Sequence, residues 1–244
     1  MTDPQPLEPR PERYPFWDWL DVAVMFALAL PPIVLMLAGS AGGHHPPKSI
    51  SRHGAAIAIA LTFSFYGLWF LALRLLLRLR YDRPFWRSLA WVWPPRGFWY
   101  CATWGLLLAM AALMLGMALR IPESKTPLEE LLKDRASILL IGVFGVTIGP
   151  LCEELIFRGF LMPLLTRSFG ALAGVLLAAV PFALMHGEEY AWGWQQLVII
   201  FLAGAAFGWM RHSSGSTAAS AVMHGAYNLV FFAILAAWKP ALAG

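Results

Sequence analysis

The sequence predicts an all-α protein, a polytopic transmembrane helical bundle, and three observations carry that prediction. Hydrophobic residues fill 59% of the 244 positions and charged residues only 13%, about half the share of a soluble domain, and the mean hydropathy is +0.63. The charges are segregated between long apolar runs, several of which approach the roughly 20 residues a helix needs to cross hydrocarbon. Twelve tryptophans punctuate the chain. Of these, Trp17, Trp19, Trp99, Trp192, Trp194 and Trp238 fall at run ends, where an amphipathic indole prefers the headgroup region.

The elements follow in order. Residues 1–16 carry five prolines and mixed charge. With no cationic start leading into a short apolar core and a cleavage site, they read as a polar N-terminal tail and not as a removable signal. A first span is expected near Trp19 to Ala38, kinked or ended by Pro31 and Pro32. Spans from Gly54 to Leu73 and Gly97 to Leu119 complete an N-terminal transmembrane region, residues 17–135. Its last loop, Ile121 to Arg135, contains the short amphipathic stretch Pro127 to Lys133, suited to lying on the membrane surface.

Residues 136–244 form the third expected unit. The run from Ala136 to Thr166 is too long for one straight crossing and has Gly149-Pro150 at its centre, so it either tilts and kinks or splits in two. Spans from Ser168 to Met185, Tyr190 to Met210 and Ser213 to Trp238 follow. The count is seven, or eight if the long segment splits.

On the seven-span reading, Arg10, Arg13, Arg74, Arg78, Arg80, Arg83, Arg87, Arg96, Arg167 and Arg211 share one side. Lys48, Arg52, Arg120, Lys125, Lys133, Arg135 and Lys239 lie on the other, which favours a cytoplasmic N-terminus. The pI near 9.3 reflects these anchoring loops; no separate basic domain exists to bind nucleic acid. Cys101 and Cys152 are the only cysteines and both sit in apolar runs, which suggests neither a disulfide framework nor a thiolate metal cluster.

Against this segregation, Glu153 and Glu154 stand side by side inside Leu151 to Phe160, with Arg158 four residues on. An ionised carboxylate in hydrocarbon costs about 2.5 to 3.5 kcal/mol on insertion scales, so an adjacent pair marks a function. Residues four apart share a helix face, so Glu154 can pair with Arg158, while Glu153 points about 100° away around the axis. Arg158 then favours the charged form of Glu154 and leaves Glu153 as candidate general base. Two further clusters lie on later spans: Phe182 to His186, with a ring one turn before an imidazole, and His224 to Asn228, with imidazole and carboxamide on one face. Together they meet the needs of amide cleavage: a base for water, an imidazole to orient it or protonate the leaving amine, and donors for the oxyanion.

Glu153-Glu154-Leu-Ile-Phe-Arg158, Phe182 to His186 and His224 to Asn228 resemble, in this order, the EExxxR, FxxxH and HxxxN motifs of the CAAX-protease and bacteriocin-processing family of intramembrane peptidases. The Ras-converting CAAX endopeptidase of eukaryotes belongs to that family. The resemblance covers about residues 136–238, and the first three spans lie outside it. It implies a helical membrane peptidase with a water-filled intramembrane active-site cavity, a membrane protein or peptide as substrate, and a multi-pass location in a bacterial cell membrane. Carried over, Glu153 is the base, Glu154 and Arg158 its supporting pair, and His186, His224 and Asn228 hold water and stabilise the oxyanion.

No cofactor is favoured. Zinc is the alternative, with His186, His224 and Glu153 as the residues that could hold it; taking Glu153 as a ligand leaves Glu154, tied to Arg158, as a poor base, and no HExxH pair is present. Two other functions use the same residues: a non-catalytic immunity or binding protein on this scaffold, and a proton or metal transporter. Paired repeats with broken helices, expected of a transporter, are not visible in the sequence.

Overall fold

In a computed structural model, residues 13–29, 54–121 and 135–238 are described, and all regular structure among them is helical. The stretch Pro127 to Lys133 and the prolines at 31 and 32 lie outside these residues.

The first helix, α1 (Trp19–Ala27), starts where a sequence reader would place it. Asp18 caps it: its side chain accepts from the Asp21 amide at 3.1 Å while the Asp21 carboxylate accepts from the Asp18 amide at 3.0 Å. Asp21 is buried, and Arg80 bonds it at 2.6 Å while the Tyr81 hydroxyl donates to its other oxygen. Those partners lie just beyond the end of α2 (Gly54–Leu79), so α1 and α2 run antiparallel. A one-turn helix, α3 (Phe85–Ser88), precedes α4 (Phe98–Ala118).

The long segment expected from Ala136 to Thr166 is one continuous helical path from Arg135 to Phe169. It consists of α5 (Arg135–Val146), α6 (Ile148–Glu154), a π-helical turn (Leu155–Leu161) and α7 (Met162–Phe169). The interruption is a single residue, Thr147, and the Leu151 amide still reaches the Thr147 carbonyl at 3.2 Å. Pro150 explains the position: it has no N–H to offer the carbonyl four residues back, Val146, and its ring crowds that carbonyl. The segment therefore kinks and does not split.

A sharp turn at Gly170 (φ 86°) leads into α8 (Ala171–Met185), followed by a 3₁₀ turn (Glu188–Tyr190), α9 (Trp194–Ser214) and α10 (Thr217–Trp238). Five helices are long and apolar enough to cross a membrane. Helix α8 is shorter: its 15 residues rise about 22 Å, less than the roughly 30 Å hydrocarbon core. Its end, where His186 caps it, is thereby available to a site at depth.

Helix α10 is the hub and packs on α4, α5, α6 and α9, while α8 lies against α7 and α9. Close approach depends on glycine where α10 crosses the kink: a Cβ on Gly225 would stand 2.6 Å from the Val146 carbonyl oxygen. Outward faces carry large apolar side chains such as Leu61, Leu68, Met117 and Leu139, as a lipid-facing surface requires. The protein is an integral membrane helical bundle. Of the tryptophans expected at the interface, Trp19, Trp99, Trp192 and Trp194 are exposed, but Trp17 is fully buried. It stacks on Phe160 at 5.3 Å between ring centroids and donates its indole N–H to the Phe160 carbonyl at 3.1 Å, so its place is core packing and not the aromatic belt.

Several turns expected on one membrane side do meet. Thr217 hydrogen-bonds the carbonyls of Leu89 and Ala90, Ser216 that of Val92, Arg211 the Tyr14 hydroxyl, and Arg167 the carbonyls of Pro15 and Trp17. With the 135–169 segment unsplit, the expected count stays at seven rather than eight, and an odd count would put the two termini on opposite sides. A reporter fused at residue 244 should be labelled only from the side opposite one fused at residue 1; labelling of both from the same side would require an even number of crossings.

Candidate active site

The site is assembled at the junction of α6 and the π-turn with α8, α9 and α10. Glu154 and Arg158 are both fully buried, and Arg158 Nη1 donates to Glu154 Oε1 at 3.0 Å, the i,i+4 pair read from the sequence. Two more donors complete the shell of Glu154: Ser220 Oγ to Oε2 at 2.5 Å and His224 Nδ1 to Oε1 at 3.0 Å, both from α10. A buried carboxylate keeps its charge only with such a shell. Arg158 in turn donates Nη2 to the Gly204 carbonyl of α9 at 2.6 Å and lies over the Phe182 ring at 4.3 Å. Gly204 is required for this approach, since a Cβ there would stand 2.8 Å from the Phe182 ring and 3.1 Å from the guanidinium.

Arg158 belongs to the π-turn, whose closing bond runs from the Met162 amide to the Phe157 carbonyl, five residues back. Such turns concentrate at functional sites. Its Nε is the one guanidinium nitrogen left buried without an acceptor.

Glu153 faces another way, as the 100° step implies, and is partly accessible at 15%. Its Oε2 lies 3.9 Å from His186 Nε2 and 3.9 Å from His224 Nε2. The other nitrogen of each ring fixes its tautomer. Nδ1 of His186 lies 2.8 Å from the Phe182 carbonyl, and Nδ1 of His224 lies against Glu154, which already accepts from Arg158 and Ser220. Both acceptors demand a proton on Nδ1, so the neutral imidazoles present bare Nε2 atoms to Glu153. Phe182 touches His186 at 4.9 Å and His224 at 5.7 Å between centroids, and Phe207 stacks on His224 at 4.4 Å; these rings hold the imidazoles in place.

Five of the six expected residues thus converge. Asn228, one turn beyond His224, uses its Nδ2 on the Gly145 carbonyl at 2.7 Å, beside the kink at Thr147. Ser220 and Tyr66 are additions. Ser220 lies four residues before His224, so helical spacing could have found it. Tyr66 comes from α2, is buried, and lies near the Glu153 carboxylate. Nothing in the local sequence around Phe65-Tyr66 signals that placement.

Residues 135–230 match the family model of the Rce1-like type II CAAX prenyl endopeptidases. Over this segment the chain is similar to the CAAX-protease family. No curated protein and no solved structure matches the chain. The matched segment contains all seven residues that define the three motifs, whereas Tyr66 and Trp17 come from outside it. That match supports a CAAX-type intramembrane endopeptidase in general and a membrane-associated substrate. Among the described residues, no group of three or more acidic, histidine or cysteine side chains is arranged to hold a metal as it stands.

Proposed function

We propose that the protein hydrolyses a peptide bond of a membrane-associated protein or peptide, with water activated by Glu153. The observation that carries this reading is the pair of equal 3.9 Å separations from Glu153 Oε2 to the two imidazole Nε2 atoms. A polar separation of that size leaves the three groups room to share one water.

Counting protons gives the mechanism. Glu153 Oε2 and two bare Nε2 atoms are three acceptors around one water, which gives one hydrogen to Glu153 and the other to an imidazole. When the water attacks the scissile carbonyl, its oxygen bonds to carbon and its proton passes to Glu153. Glu153 then passes that proton to the amine nitrogen as the C–N bond breaks and the carbonyl re-forms. The second hydrogen of the Asn228 amide is the one left for the oxyanion. Glu154 does no proton transfer; together with Arg158 and Ser220 it fixes His224.

Two imidazole nitrogens and a carboxylate oxygen also make a catalytic zinc set, and the Nδ1 bonds of both rings resemble the supports of metal-binding histidines. Two features favour water. Ligands about 2.0–2.1 Å from a tetrahedral zinc lie about 3.4 Å apart, so both 3.9 Å separations would have to contract. With Glu153 on the metal, Glu154 could not replace it as base, because its oxygens are already taken by Arg158, Ser220 and His224. Purified protein should cleave members of a labelled peptide and membrane-protein panel with less than 0.1 equivalent of metal, and chelation should leave the rate unchanged. A stoichiometric zinc whose removal abolishes cleavage and whose return restores it would reassign His186, His224 and Glu153 as ligands.

A further inference from the structure

Away from the catalytic cluster, at the face where α7 and α9 end, a cavity of about 340 Å³ is lined by Tyr14, Thr166, Arg167, Arg211 and His212, among others. Its two arginines are held rigidly. Arg211, only 7% exposed, donates Nε to Thr217 Oγ1 at 2.9 Å and Nη2 to the Tyr14 hydroxyl at 3.2 Å. Arg167 donates Nη1 to the Pro15 carbonyl and Nη2 to the Trp17 carbonyl at 3.3 Å. Every one of these acceptors is neutral, and neither arginine has a carboxylate partner among the described residues.

Two fixed guanidinium groups facing one cavity, with no carboxylate partner among the described residues and the exposed His212 at the rim, form a receptor for an anion. The guanidinium fork suits phosphate, and because the hydrogen bonds above already immobilise both side chains, little ordering is needed when a ligand enters. The surroundings set the depth. Trp209 is exposed and lies 5.5 Å from the His212 ring, while Trp19 and Phe169 are exposed and touch at 6.1 Å. Aromatic rings facing outward at helix ends mark the headgroup level, which is where lipid phosphates lie.

We propose that this cavity binds the phosphate of an acidic phospholipid and so clamps the Tyr14–Trp17 segment against the ends of α7 and α9. The test uses the full chain in phosphatidylcholine nanodiscs, with phosphatidylglycerol or inorganic phosphate added at matched ionic strength, read by thermal unfolding and by native mass spectrometry. Phosphatidylglycerol should raise the unfolding midpoint by several degrees and leave one retained lipid per protein. Stabilisation by inorganic phosphate as well, in competition with that lipid, supports recognition of the phosphate itself; stabilisation by the lipid alone supports a site that needs its glycerol and chains too. Arg167→Gln should weaken retention at least tenfold. His212→Gln, at the rim and outside the buried hydrogen bonds, should weaken it about threefold, which keeps the test valid should Arg167→Gln unfold. Retention in His212→Gln and in any folded Arg167→Gln equal to wild type, or no stabilisation by either phosphate source, would overturn the proposal.

Discussion

Glu153→Gln is expected to reduce peptide cleavage by at least a hundredfold while the protein inserts and purifies as wild type. A general base contributes roughly 10²–10⁴ in rate, and the amide retains the size of the carboxylate but cannot take the water's proton. The side chain is partly accessible and makes no ion pair as close as the 3.0 Å bond within Glu154–Arg158, so its loss leaves the buried framework intact. Initial rates on a cleaved peptide, with unfolding midpoints as the control, check it. A variant cleaving within about threefold of wild type, under 1 kcal/mol in barrier, would exclude Glu153 as base.

Arg158→Ala acts on stability. It strands Glu154 in the core with only the Ser220 and His224 donors and removes the donor to Gly204, so about 3–5 kcal/mol should be lost. Glu154→Gln should cost less, because the amide oxygen still accepts from one of the two α10 donors. The double variant should be more stable than the sum of the two losses predicts, since neither charge is then left alone. Unfolding in detergent across the four proteins measures the coupling. Additivity within about 0.3–0.5 kcal/mol would mean that the pair does not interact.

Both predictions rest on residues legible in the sequence for a simple reason: their cues are local. Charge inside apolar runs exposes Glu153, Glu154 and Arg158, and the i,i+4 rule pairs the latter two without any tertiary knowledge. The same rule groups Phe182 with His186 and His224 with Asn228. The kink was legible as a pair of alternatives, but whether the chain splits or continues depends on whether neighbouring helices cover the freed carbonyls. Here α10 does so, through Asn228 at Gly145 and the close approach of Gly225 to Val146. The burial of Trp17 was not legible, because an indole near a helix start suits a headgroup as well as a core; its partner Phe160 is 143 residues away.

What the sequence by itself determined is the helical membrane architecture, the motif-bearing segments and the Glu154–Arg158 pair, all consequences of periodicity, composition and spacing of at most a few residues. Only the tertiary structure decided which imidazole nitrogens face Glu153, that Ser220 and His224 are spent on Glu154, and that Tyr66 reaches the site from outside the matched segment. Those depend on how helices rotate and tilt against one another. Such orientations are set by packing among small residues and by buried polar groups competing for a few partners, and no local pattern in the chain encodes the result.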